Sequence, residues 1–160
     1  PTVNPIPSLL EYLDTPILRP NTMVLGQEAW STLRTNPYVV KAIHGNSGDA
    51  GAATRQMVAE LLEIDEIVIG QGFINTAKPG QSPTIARVWG PNAALLHINQ
   101  LADSRAGVTF GITAQWGDRV AGSIDEPKIG LRGSKRVRVG ESVKELITAA
   151  DVGFYVGSVK

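Results

Sequence analysis

Hydrophobic spacing changes character along the chain, from helical up to Leu62 to strand-like beyond Asp65. Ser8 followed by Glu11 has the spacing of a capping box, in which each side chain satisfies a backbone donor at a helix start, and predicts a helix carrying Leu9, Leu10 and Leu13. Pro16 and Pro20 bring it to an early end. Thr22 to Leu25 is a short apolar strand. Gly26 reads as the sharp turn into a helix from Gln27 that carries Ala29, Trp30 and Leu33 on one face. Asn36-Pro37 supplies an N-cap and an N1 proline for a helix from Tyr38 to His44, packed through Val39, Val40 and Ile43. After the polar stretch "GNSGDAGAA", Thr54 begins a helix with Met57, Val58, Leu61 and Leu62 inward.

In "IVIGQGFI" the period shortens: Ile67, Val68 and Ile69 predict a buried strand that loosens at Gly70 and Gly72. "NTAKPGQSPT" is a loop with a turn at Pro79-Gly80. "IARVW" and "AALLHI" read as two strands of a hairpin around Gly90-Pro91-Asn92. "VTFGITAQWG" alternates Val108, Phe110 and Ile112 with Thr109, Gly111 and Thr113, which predicts a sheet with one buried face. "KRVRV" alternates too, with Val137 and Val139 opposite Arg136 and Arg138. Ser142 to Ile147 reads as a helical turn, and "DVGFYVGSV" as a closing strand. Helices early and strands late, with no repeated βαβ unit, define an α+β class.

Composition narrows the functions open to such a chain. Its 160 residues suit one domain able to bury a core without covalent staples. Fifteen basic side chains balance fifteen acidic ones, so charge names no partner. The lack of cysteine excludes disulfides, thiolate metal sites and cysteine nucleophiles. No apolar run is long enough to span a membrane and no signal segment opens the chain, so a soluble protein is expected. A start at Pro1 and the proline-rich "PTVNPIP" point to a processed or excised piece of a longer chain.

Candidate chemistry is thin. The Gly45 to Gly51 loop has glycines near a helix, but it lacks the P-loop lysine, follows a helix instead of a strand and misses the dinucleotide glycine spacing. A plain surface loop is the better reading. His44 and His97 are the only imidazoles, without metal-ligand spacing, and His97 in an apolar stretch reads as a satisfied core or interface residue. No Gly-x-Ser-x-Gly elbow supports a serine nucleophile. Catalysis is therefore not expected, and no cofactor is implied. Lys135, Arg136 and Arg138 form the densest positive stretch. On a strand Arg136 and Arg138 share a side, facing phosphates, a neighbour's carboxylates or simply solvent at a protected edge. Trp30, Trp89 and Trp116 each lie beside apolar neighbours and read as core or interface anchors.

Taken in order, "RPNTMVLGQEAWSTLRTNPYVVKAI", "ELLEIDEIVIGQGFINTA", "ARVWGPNAALLHI", "GVTFGITAQWG" and "AADVGFYVGSVK" resemble successive segments of tailed-bacteriophage major capsid proteins with the Hong Kong 97 type of fold. The likeness runs from about Ile6 to Lys160. It implies an axial domain, a mixed or antiparallel sheet flanked by helices, with part of a peripheral domain. It also implies that residues 1–160 are the C-terminal half of a subunit, without the N-terminal arm, extended loop and spine helix of that family.

The expected role is a structural subunit of a phage or prophage icosahedral capsid, formed in a bacterial cytoplasm and residing in the virion. Its partners are further copies in pentamers and hexamers, with packaged DNA held only non-specifically and no membrane. Alternatives are an encapsulin-type compartment shell or a small non-enzymatic binding domain using the Gly45 to Gly51 loop. For subunit contacts the sequence nominates Asn75, Lys78, Pro79, Gly80 and Gln81, on a polar, conformable loop, together with Arg136 and Arg138.

Overall fold

The computed structural model describes residues 3–45, 51–103 and 105–159. The chain divides into two compact units: one comprises everything up to Phe110 and from Ala149 onward, the other Gly111–Thr148.

The first unit is built on a four-stranded mixed sheet. Its strands are β1 (Thr22–Gly26), β2 (Glu66–Gly70), β5 (Ala93–Leu96) and β8 (Gly153–Val156), in the order β2-β1-β5-β8. β1 runs parallel to β2 and antiparallel to β5, and β5 antiparallel to β8. Parallel strands need a long crossover, which here consists of helices α2 (Gln27–Arg34), α3 (Pro37–His44) and α4 (Arg55–Leu62). A short 3-10 turn, Ala150–Val152, leads into β8.

Alternation along the strands decides where the core lies. Met23 and Leu25 share a face with their ladder partners Ile67, Leu95 and Ala93. That face packs against Ala29, Trp30 and Leu33 of α2, Val39 of α3, Val58, Ala59 and Leu62 of α4, and Leu13 of the first helix, α1 (Ile6–Asp14). On the opposite face Val68 and Tyr155 remain exposed.

The helix starts follow local chemistry. Asn36 accepts the Tyr38 N–H at 3.0 Å and Thr54 accepts the Met57 N–H at 3.3 Å, each satisfying a donor that the first turn leaves orphaned. The capping box at Ser8 is not formed. α1 begins earlier, at Ile6, and the Ile6 N–H donates to Asn4 Oδ1 at 3.1 Å, so Ser8 and Glu11 fall inside the helix. On α4 the buried side is Val58, Ala59 and Leu62, while Met57 is 36% exposed.

Gly26 turns the chain for a different reason from the one expected. Its φ of −67° and ψ of 152° are open to any residue. Space is what demands glycine: a Cβ there would lie 1.8 Å from the Gly90 carbonyl oxygen. At Gly70 a Cβ would lie 2.4 Å from Trp89 Cδ1, so the indole rests directly on the backbone. "IARVW" and "AALLHI" therefore join different sheets and form no hairpin. The first pairs with Phe73–Asn75 and the second with β1 and β8.

The second unit is a two-stranded antiparallel ribbon of β6 (Gly111–Glu126) and β7 (Ser134–Ile147). It overturns two expectations. Alternation at Val108–Thr113 does not mark a half-buried sheet, because Thr109 is buried, Val108 exposed and β6 exposed along most of its length. Ser142 to Ile147 is not helical but continues β7. β-Branched residues at 137, 139, 143 and 147 favour that extension, and pairing with β6 satisfies the backbone.

Candidate subunit interface

The nominated loop is the tip of a small hairpin in the first unit, formed by β3 (Phe73–Asn75) and β4 (Ile85–Arg87). Asn75 braces it from within, its Oδ1 accepting the N–H groups of Ala77 and Thr84, both at 3.0 Å. Thr76 and Thr84 close the base, with N to O at 2.8 Å. At the tip the Gln81 N–H donates to the Lys78 carbonyl at 3.1 Å, with Pro79 and Gly80 at the two central positions. Gly80 has a φ of +84°, the left-handed value that a type II turn requires at its third residue. Lys78, Pro79, Gly80 and Gln81 are all exposed. The loop is thus a hydrogen-bonded turn presenting polar groups.

Below the tip the hairpin carries what sequence reasoning missed: Phe73, Ile74, Ile85 and Val88 are all exposed. Register places Phe73 and Ile85 on one face and Ile74 on the other, so neither face is purely polar. The Arg87 guanidinium covers part of the Phe73 ring at 4.6 Å and approaches Glu28 of α2 at 3.9 Å. The signal lay in "GQGFIN", where apolar residues resume after two glycines with no later partner in the predicted sheet.

Arg136 and Arg138 lie in the second unit, on one face of the ribbon opposite Ile124 and Gly122. Arg136 is engaged within the ribbon by Glu126, at 3.2 Å. Arg138 is exposed and makes no ion pair among the described residues. Around these arginines both faces carry exposed apolar side chains. Val120, Ile124, Leu146 and Trp116, which is 86% exposed, lie on the arginine face, and Val137, Val139, Val143 and Ile147 on the other. Ile129 and Leu131 are exposed in the connection between the strands. Trp116 is therefore no core anchor, whereas Trp30 is buried in the core. The ladder shifts register between Trp116 and Val120, where Arg119 pairs with Glu141 across the irregularity.

Neither histidine sits in a catalytic arrangement. His97 is half-buried with Nδ1 3.1 Å from the Arg19 carbonyl oxygen, and His44 is exposed on α3. Among the described residues no group of three or more His, Asp or Glu could hold a metal ion. No helix is long and apolar enough to cross a membrane. Residues 46–50 of the Gly45 to Gly51 loop lie outside the described residues. A cleft of about 640 Å³ under α1 is lined by Leu9, Tyr12, Leu25, Leu33, Leu95 and Val156 among others, with no charged side chain. It offers packing surface and no acid or base.

The fold is that of a phage-related protein. A crystal structure so described, from Bordetella bronchiseptica RB50, matches with a TM-score of 0.76 at 18% identity, over 98% of this chain and 50% of that one. Sequence relatives carry the comparison further. The chain is 52% identical over 155 residues to the major capsid protein of Pseudomonas phage JBD67, covering 97% of this chain and 50% of the relative. It is 22% identical over 147 residues to that of Burkholderia phage BcepMu, covering 88% and 44%. No family model matches. The resemblance to phage major capsid proteins thus holds over nearly the whole chain, and the chain spans about half the length of the curated relatives it matches.

Proposed function

We propose that the chain is the C-terminal half of a structural subunit of an icosahedral phage or prophage head. In this reading the mixed-sheet unit is the axial domain of the Hong Kong 97 type of fold, and the ribbon supplies strands of the peripheral domain. Copies meet in pentamers and hexamers, and the closed shell holds DNA without reading its sequence.

One observation beside the sequence likeness carries the reading: two separate ribbons carry exposed apolar side chains on both faces. Monomeric proteins seldom leave that much contiguous apolar strand uncovered. Obligate interfaces between subunits are more hydrophobic than other protein contacts. The relatives named above are phage head proteins, which favours this reading over an encapsulin-type compartment. The hydrogen-bonded 75–81 turn, with Asn75, Lys78, Pro79, Gly80 and Gln81, suits a contact near a symmetry axis, since it presents polar groups that stay solvated before assembly.

The test is expression of the full-length chain carrying this region, followed by sedimentation and electron microscopy. Large closed particles are expected. A full-length chain that stays monomeric at every concentration and salt condition would refute the reading.

A further inference from the structure

We propose that the two faces of the β6–β7 ribbon are complementary to each other, so that the arginine face of one copy docks on the opposite face of the ribbon of a second copy. The inference rests on the reading of the chain as an assembling subunit and specifies how two copies meet.

Cross-strand partners share a face, so the ladder sorts every side chain. One face presents Ile112, Trp116, Val120, Ile124 and Leu146 together with Arg136, Arg138 and Lys144, with Glu126 as its carboxylate. The other presents Val137, Val139, Val143 and Ile147 together with Asp125, Glu141 and Glu145, with Lys135 and the bulge residue Arg119, which pairs with Glu141, as its cations. The first is net positive and the second net negative, and each has an apolar stripe of similar length.

Internal pairing consumes some of this charge: Arg136 with Glu126, Lys135 with Asp125, and Glu141 with Arg119. Among the described residues, Arg138 and Lys144 on one face and Glu145 on the other make no ion pair, which leaves opposite charge facing outward on opposite sides. A ribbon of this kind repels a like face and attracts an unlike one. The contact is therefore heterologous, each copy using one face for each neighbour, and it propagates to a ring or shell instead of stopping at a dimer.

Size fits a contact that is weak singly. A 14-residue strand is about 48 Å long at about 3.4 Å per residue, so a face about 10 Å wide covers roughly 480 Å² per partner. A stable pairwise complex buries about 800 Å² per partner. A single ribbon contact therefore holds two copies loosely, and closure supplies the rest through many such contacts.

Charge reversal on the full-length chain tests the pairing. One variant carries Arg138→Glu and Lys144→Glu, making both faces acidic. The other carries Glu141→Lys and Glu145→Lys, making both basic. Each is checked by circular dichroism for an unchanged melt, and a variant that melts early is replaced by its glutamine counterpart.

Sedimentation velocity should show each variant alone losing assembled material at least tenfold, with the loss deepening as salt is lowered. An equimolar mixture of the two should recover association into even-numbered oligomers, in which the two kinds of copy alternate. Assembly by both variants at the wild-type level would overturn the pairing while leaving the capsid reading intact. So would loss without recovery on mixing, the result expected if another part of the chain or DNA covers these faces. A wild-type full-length chain that never associates would refute both.

Discussion

Replacing Gly26 by alanine tests most sharply how the corner between β1 and α2 is held. Backbone conformation gives no reason for a cost, because φ −67° and ψ 152° suit alanine. The obstruction is the Gly90 carbonyl, whose oxygen would lie 1.8 Å and carbon 2.9 Å from the new methyl. Carbon contacts settle near ~3.5 Å, so the 89–91 segment must retreat by about 1.5 Å. That retreat also stretches the 2.9 Å bond from the Gly26 N–H to the Asn92 carbonyl. Overpacking of this kind costs about 1–3 kcal/mol, and a lost backbone hydrogen bond about 1 kcal/mol. The sum, about 2–4 kcal/mol, is a sizeable part of the roughly 5–15 kcal/mol that holds a domain folded. It corresponds to a fall in melting midpoint of about 5–15 °C. Urea unfolding of the 160-residue chain by far-UV circular dichroism measures it. Gly122→Ala is the comparator, since that position has nothing within 4 Å, and its effect should stay within about 0.5 kcal/mol. A Gly26→Ala chain as stable as the comparator would refute the argument from close approach.

Further expectations follow from single contacts. Asn36→Ala removes the acceptor for the Tyr38 N–H and a donor to the Val3 carbonyl from a buried site, and should lower stability by about 1–2 kcal/mol, with Asn36→Asp restoring most of the cap. Glu63 ends α4 in the left-handed region, with φ +54° and ψ +46°, so Glu63→Gly should raise stability by about 0.5–1 kcal/mol in the same denaturation assay. The Asp103 carboxylate is held below the ordinary 3.8 by the backbone N–H of Arg105 first and that of Ala106 second. A depressed carboxyl stabilises the turn above its unfolded pKa and loses that contribution as pH falls through the folded value. The amide shifts of Arg105 and Ala106 should therefore titrate with a midpoint below 3.8, and a midpoint at or above it would show these bonds absent in solution.

How much of this could be read beforehand depended on whether a segment's partner lay close in the chain. Asn36-Pro37 and Thr54 capped helices as expected because a cap is settled within one turn. β1 was legible from Thr22 to Leu25 because it is central and buried. The hairpin expected around Gly90 failed for a reason invisible locally: Gly26 and Gly70 admit the Trp89-Gly90 backbone and indole, which separates β4 from β5. Arg136 and Arg138 were correctly placed on one side of a strand, since alternation alone fixes that. Trp116 was read as a core or interface anchor and is exposed, as are the valines of β7, because apolar alternation does not reveal whether the covering surface belongs to the same chain. Asn75 was nominated as a contact, and the structure gives its side chain an internal task as well, bracing the loop.

The most direct test of the capsid account is electron cryomicroscopy of particles assembled from the full-length chain containing these residues. The account predicts a closed icosahedral shell in which the β2-β1-β5-β8 sheet unit clusters around the vertices. It also predicts the β6–β7 ribbon lying with its Arg138 and Lys144 face against the Glu145-bearing face of the ribbon of an adjacent copy. A shell with the ribbon faces covered only by their own chain would contradict the proposed contact, and the absence of any closed shell would contradict the account as a whole.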